Sequence, residues 1–413
     1  MGKSTHFIGQ PLLLQLISFI DRDVVTRISR RHGGERYVKS FGCWQHLVVM
    51  LYSVLMSFDS LREIMWGMLA ESRKLAHLGI TVMPRRSTLS DANSRRSEAI
   101  FGKIYSHLYK THRERLLSDS RPGSAALWLD RLRIVDSTTI TLFSNLIFKG
   151  AGRNPKSGRK KGGIKVHKDI RANEGVAAQV SFTSAATHDS VMFAPESFDK
   201  GELVAIDRAY IDYEKFEQLT QRGVVYVTKM KAGLRYTVES DMMAMDGHGL
   251  MVSRVQHVVF TKEKDGKKIE HRARIVTYVD EKKRKLVSLL TNDFDMDVEE
   301  IIEIYRKRWM IETLFRQIKQ NFPLHFFFGE SANAIKIQIW VVLIANLLLT
   351  LVQRSANRPW SFSNLAAAIR IMLMYYVDLW KFLEAPEKDW IEVLKATAEA
   401  PPMLELKFEG GLV

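Results

Sequence analysis

Apolar residues recur at helical spacing through the first 120 positions, as in Leu47, Met50, Leu51, Val54, Phe58 and Leu61. That period predicts amphipathic helices. The segment "MPRRSTLSDANSRRSEAIFGKIYSHLYKTHRERL", opening with Pro84 and a Ser or Thr cap, predicts one long amphipathic helix with Arg85, Arg86, Arg95 and Arg96 near its start. A turn at "RPGS", Arg121 to Ser124, marks a boundary. Beyond about residue 125 the period shortens to two. Strands are predicted in "LRIVDSTTITLF" (Leu132 to Phe143), "GIKVHKDI", "GVAAQVSFTSA", "ELVAIDRAY" and "VVYVTKM", with helical stretches near "DSVMFAPESF" and in "DYEKFEQLTQRG", which ends at Gly223. Three strands, a helix and then alternating elements predict a mixed α/β sheet covered by helices. From about 232 to 292 strands continue with turn signals such as "KDGKK" and no interleaved helix, which reads as a β-rich insertion.

A helix is then predicted from near Asp297. Its stretch "YRKRWMIETLFRQIK", Tyr305 to Lys319, sets one acid, Glu312, among five basic residues. At about 100° per residue, Tyr305, Arg308, Glu312 and Lys319 share one narrow stripe beside an apolar face of Ile304, Ile311, Leu314, Phe315 and Ile318. Such a stripe at the edge of a core is either an active-site wall or a solvated face paired by Arg308 and Glu312. The apolar run Ile335 to Val352 contains Lys336, Gln338, Asn346 and Thr350 and predicts a buried helix rather than a membrane span. Helices continue to about residue 400, punctuated by Pro359, Pro386, Pro401 and Pro402.

Charge narrows the expected partner. The 413 residues carry a formal net charge of +15 and a pI near 9.7, which points to a polyanion, with nucleic acid ahead of an anionic membrane. One cysteine, Cys43, excludes an internal disulfide and a Cys-based zinc cluster. The N-terminal apolar run is interrupted by Gln15, Ser18 and Asp21 and no small-residue cleavage site follows, so secretion is not expected. Much of the positive charge lies in "GAGRNPKSGRKKGGIKVHK", Gly150 to Lys168, with five glycines, seven Lys or Arg and no acid. A flexible cationic loop can follow a phosphate backbone. Its candidate contacts are Arg153, Lys156, Arg159, Lys160, Lys161 and Lys165, with His167 read as structural.

Asp136 follows the apolar pair Ile134 and Val135, and Asp207 follows Leu203 to Ile206, so each acid lies within or at the end of a buried strand. Adjacent parallel strands would bring the two together, and a helix packed on the sheet could add Glu312. Three carboxylates at low dielectric repel one another unless cations bind them. Mg²⁺ takes oxygen ligands, and two such ions can activate the attacking oxygen and stabilise the leaving one at a phosphodiester. Asp130, Asp169, Asp189 and Glu202 compete for the role on spacing alone.

The run Tyr305, Arg308, Glu312 and Lys319, separated by two, three and six residues, resembles the signature of the IS4 family of DDE transposases. "VDSTTITL" around Asp136 and "AIDRAYIDYEKF" around Asp207 resemble that family's two aspartate regions. The resemblance covers roughly residues 125 to 330, and residues 5 to 75 are similar to the helical domain that precedes it in many members. It implies a ribonuclease H-like catalytic core over 125–330 with the β-rich insertion. An N-terminal helical region over 1–120 would bind DNA ends, and a C-terminal helical region over 331–413 would suit dimerisation.

The resemblance assigns Asp136, Asp207 and Glu312 to two Mg²⁺ ions, with Mn²⁺ able to substitute, and Tyr305, Arg308 and Lys319 to DNA phosphates. The implied activity is cut-and-paste transposition on double-stranded DNA, at terminal inverted repeats and at a target, by a homodimer in a bacterial cytoplasm at the nucleoid. Some relatives stack a flipped base on a tryptophan in the insertion, but here residues 208 to 300 hold no tryptophan. Trp309, on the signature helix, or Phe260, Tyr278 or Phe294 could replace it. The competing readings are a nuclease of the same fold without strand transfer and a non-catalytic DNA-binding regulator.

Overall fold

The computed structural model describes residues 10–117, 128–141, 163–245, 251–264, 266–280 and 284–387. The N-terminal part is seven helices: α1 (Leu12–Ile17), α2 (Arg22–Arg31), α3 (Cys43–Met56), α4 (Leu61–Ala70), α5 (Ser72–Leu75), α6 (Arg86–Arg95) and α7 (Glu98–Leu116). The single helix expected over Met83 to Leu116 is two. The chain leaves helical geometry at Arg96 (φ −70°, ψ 131°), and Ser97 starts α7 by accepting the Ala99 N–H at 3.3 Å. A serine that offers its oxygen to the backbone restarts a helix where periodicity alone reads straight through.

The strands are β1 (Leu132–Thr141), β2 (Gly163–Arg171), β3 (Ala177–Ser184), β4 (Leu203–Ile206) and, after helix α8 (Tyr213–Gln221), β5 (Val225–Lys229). The insertion adds β6 (Thr237–Met245), β7 (Met251–Lys264), β8 (Lys267–Asp280) and β9 (Lys285–Thr291). All nine form one sheet, in the order β3-β2-β1-β4-β5-β9-β8-β7-β6. β1 pairs antiparallel with β2 and parallel with β4, and β4 pairs parallel with β5. The insertion therefore does not form a separate body. Its last strand, β9, returns antiparallel along β5, which extends the core sheet and hides an edge that would otherwise be open.

Alternation assigns the two faces. Leu132, Ile134, Leu203 and Ala205 enter a large core shared with the N-terminal and C-terminal helices. Val204, Ile206, Phe216, Tyr226 and Phe260 build a second core on the opposite face. The first face is covered by α9 (Val298–Lys307), α10 (Trp309–Asn321) and α11 (Ala332–Ser355). The helix expected from near Asp297 begins there, but it is interrupted at Arg308, which lies between α9 and α10.

Helix α11 is apolar on every side and long enough by length and composition to cross a membrane, yet 94% of its apolar window is buried in the protein. Its polar residues are matched inside the fold. Gln338 donates to the carbonyls of Pro323 and Phe326, both at 2.8 Å, and Asn346 accepts from Gln317 at 3.0 Å. Buried amides with partners of this kind avoid the desolvation penalty of an unpaired polar group. Helix α7 crosses α11 closely at Gly102, where a Cβ would come within 2.9 Å of the Trp340 ring. The chain closes with α12 (Phe362–Met372) and α13 (Leu379–Glu384), whose Leu365, Ile369, Leu379 and Leu383 complete the large core.

Candidate active site

The site begins with strand register. Val135 stands opposite Ile206 across the parallel β1–β4 pair, so Asp136 and Asp207 are the next residues on neighbouring strands. Alternation returns both to the face of Leu132, Ile134, Leu203 and Ala205, beneath α9 and α10. Asp136 accepts its neighbour's N–H, from Ser137, at 2.8 Å. Asp207 accepts the Ala209 N–H at 2.9 Å, which caps the short 3-10 turn Arg208–Tyr210.

Glu312 arrives on the first turn of α10. Between it and Asp136 lies the guanidinium of Arg308, with one nitrogen 2.6 Å from Glu312 Oε1 and another 3.5 Å from Asp136 Oδ2. Burial pushes the Asp136 carboxyl up to about 7; the Ser137 N–H and Arg308 oppose that rise, while Asp207 and Glu312 add to it. Among the described residues no three acids or histidines converge closely enough to ligate a metal as they stand, and the Arg308 guanidinium lies between Asp136 and Glu312. The donor set still fits a divalent cation. It is all carboxylate oxygen, two of its members already share a positive charge, and the third sits one strand away.

These acids line a cleft of about 950 Å³ with Ser137, Thr138, Lys165, Asp189, Arg308, Arg316, Lys319 and His325. Lys319 donates to the Thr138 hydroxyl at 2.7 Å and to the Thr139 carbonyl at 3.3 Å. Tyr305 is buried, its ring 5.7 Å from the Arg308 guanidinium carbon. Burial holds its hydroxyl above the ordinary range, with Asp207 among the smaller contributors. The residue at the start of α10, Trp309, is 47% exposed and lies 5.3 Å from the same guanidinium. Of the insertion's aromatics, Phe260 and Tyr278 are buried, whereas Phe294 is exposed and meets His257 edge-on.

The remaining candidates scatter. Arg153, Lys156, Arg159, Lys160 and Lys161 lie outside the described residues. Lys165 is committed to Asp189 at 3.1 Å and to the Thr187 carbonyl at 2.6 Å. Arg85 and Arg86 are exposed, and Arg95 pairs with Asp91 at 2.6 Å. Arg96 departs from the expected basic row: it is buried and donates to the carbonyls of Gly34 and Phe41. It braces the loop that carries Tyr37, which is 86% exposed beside a cleft lined by Arg36, Lys39 and Arg95. His167 is buried and bonded to Thr183 at 2.7 Å.

The rival acids separate on contacts. Asp169 and Glu202 are tied to buried Arg133 on the opposite face, and Asp130 accepts from Asn173. Asp189 alone among them lines the cleft, where it accepts the Ser137 hydroxyl at 2.6 Å. Nothing in its local sequence marks it out. Lys168 is a further buried residue beside the cleft, with burial and then Lys319 bringing its amine down to about 7. Its signal was present, since alternation in "GIKVHKDI" sets it in one row with Ile164, Val166 and Ile170.

A sheet core ordered β3-β2-β1-β4-β5, with two aspartates in register on adjacent parallel strands, defines the ribonuclease H-like class of nucleases and transesterases. The family model described as "Transposase DDE domain" matches residues 127–348, and the chain belongs to that family. Residues 8–81 match a second model, described as a domain of unknown function (DUF4372). The chain is 28% identical to "Putative transposase y4zB" of Sinorhizobium fredii over 274 residues, 66% of this chain and 72% of that one. It is 27% identical to "Probable transposase for insertion sequence element IS5377" of Geobacillus stearothermophilus over 220 residues, 53% of this chain and 55% of that one. These relatives are consistent with the IS4 family. A solved piggyBac transposase synaptic complex with hairpin DNA matches more loosely, at TM-score 0.41 and 12% identity over 95% of this chain and 85% of that one.

Proposed function

We propose that this transposase cuts double-stranded DNA at the ends of its own element and joins the freed 3′ ends to a target, using Asp136, Asp207 and Glu312 for both reactions. The observation that carries this reading is the register that sets Asp136 and Asp207 side by side, with Glu312 bridged to Asp136 through Arg308. These three residues would hold the two Mg²⁺ ions, which when bound supply activation of the attacking oxygen and charge stabilisation for the leaving one.

The chain's own groups position the DNA. Arg308 and Lys319 face the phosphate oxygens from one wall of the cleft. The Thr138 hydroxyl fixes Lys319 there, and buried Tyr305 supports the guanidinium from behind. Because these charges are held before the substrate arrives, little reorganisation is left for the reaction. Exposed Trp309 and Phe294 are the surfaces on which an unpaired base would stack. Arg36, Tyr37, Lys39 and Arg95 of the N-terminal cleft would grip the terminal repeats. Two copies would act together, since two ends must be cut in concert.

The test is excision from a plasmid carrying the DNA that flanks the reading frame, in Mg²⁺ or Mn²⁺, beside Glu312→Gln. Wild type should release paired double-strand breaks and joined product, while the variant binds and does not cut. Normal cutting by Glu312→Gln would refute the assignment. Cutting without joined product would make the protein a nuclease, and binding without cutting by both proteins would make it a regulator.

A further inference from the structure

One buried charge near the cleft is unexplained by packing. Lys168 is 4% exposed, and among the described residues its ammonium meets only the Phe315 ring, 5.0 Å from the centroid. It lines a narrow slot whose other walls are apolar, Ile140 and Val166 from the sheet and Ile318, Leu324 and Val342 among the rest, with Thr138 and Lys319 as its polar members. A methionine would fill that space without the cost of taking a lone ammonium out of water. Other buried cations are met by acceptors: Arg133 by Asp169 and Glu202, Arg308 by Asp136 and Glu312, and Arg274 by the Met296 carbonyl. Lys168 has instead a second cation, Lys319, within electrostatic reach. Two like charges lining one slot are reconciled by an anion that touches both.

The slot shares Thr138, Phe315 and Lys319 with the acid-lined cleft, so these residues are part of that cleft's wall. Strand register fixes where. Lys168 stands opposite Asp136 across β1–β2, on the side of β1 away from β4 and Asp207. We propose that Lys168 and Lys319 together clamp one DNA phosphate flanking the reacting one, Lys168 turning its flexible stem past Phe315 toward Thr138 when that anion arrives. This inference rests on reading the cleft as the DNA site.

Lys168→Met removes the charge and keeps the length and apolar volume. Fluorescence anisotropy would follow its binding to a duplex from the flanking DNA, titrated with KCl beside wild type, Lys319→Met and the double variant. We expect roughly tenfold weaker binding and a salt dependence shallower by about one counterion. Melting should be unchanged or higher, since the variant removes a buried charge. The losses in Lys168→Met and Lys319→Met should be non-additive, because both residues hold one phosphate. Lys168→Arg should restore the salt dependence.

Wild-type affinity and salt dependence in Lys168→Met would overturn the clamp and leave Lys168 a core residue. Should Lys168→Met not fold, Lys168→Gln has to show the same loss of salt dependence, and its failure to do so would overturn the clamp equally. Failure of the underlying reading would show separately, as wild type that does not bind the duplex or Glu312→Gln that still cuts it.

Discussion

Asp136 offers the sharpest test of the site's electrostatics. Its carboxyl is raised from 3.8 to about 7 by burial, with Asp207 and Glu312 adding to the rise. A raised acid is protonated when folded and ionised when unfolded at intermediate pH. Its full stability is therefore present below 3.8 and is lost as pH climbs to about 7. At 1.36 kcal/mol per tenfold, the loss is about 4 kcal/mol at pH 8 and only about 1–2 kcal/mol at pH 5. Asp136→Asn removes the ionisation and so the loss. With an unfolding entropy of about 2.1 cal/mol/K per residue over 413 residues, the variant should melt about 5 °C above wild type at pH 8 in EDTA. The gap should shrink to about 2 °C at pH 5. Scanning calorimetry at the two pH values measures both. Adding Mg²⁺ should raise the wild type toward the variant and leave the variant unmoved. A variant that melts no higher at pH 8, or by the same margin at both, would refute the claim that Asp136 is a desolvated acid beside two others.

Two further outcomes test the fold beneath the site. Arg133 is buried against Asp169 and Glu202 and also donates to the Ser197 carbonyl at 2.8 Å; Arg133→Met should cost about 3–5 kcal/mol by leaving buried Asp169 unpaired and Glu202 with Arg171 alone. Urea titration would show it, and DNA cleavage per folded molecule should be retained, because this cluster lies on the opposite face from Asp136. His46, fully buried and bonded to Asn93 at 2.8 Å, is held down to about 3, first by burial and then by Arg96. A lowered base binds its proton more readily when unfolded, so its contribution is intact above about 6.5 and falls by about 2 kcal/mol by pH 5. His46→Gln should flatten that part of the stability–pH curve, and an identical acid-side slope in both proteins would show that His46 does not titrate there.

Sequence alone determined the order of helical and strand regions and the class of chemistry, although it ran α6 into α7 and α9 into α10. The switch from helical period to alternation separates the N-terminal helices from the sheet. The apolar runs before Asp136 and Asp207 set one acid within a strand and the other at a strand end, and the spacing of Arg308, Glu312 and Lys319 brings three charged groups to one cleft. Each is a local property, carried by side-chain order and backbone period. Partnering was not legible, because it depends on residues far apart in the chain. Only the tertiary structure decided that the insertion extends the core sheet along β5 and that Arg308 interrupts its helix and lies between two acids. The same holds for Arg96 as a brace for a loop and for Asp189, rather than Asp169 or Glu202, as the further acid in the cleft. Burial did the sorting: at low dielectric a charge must find a partner, and the fold determines which partner is within reach.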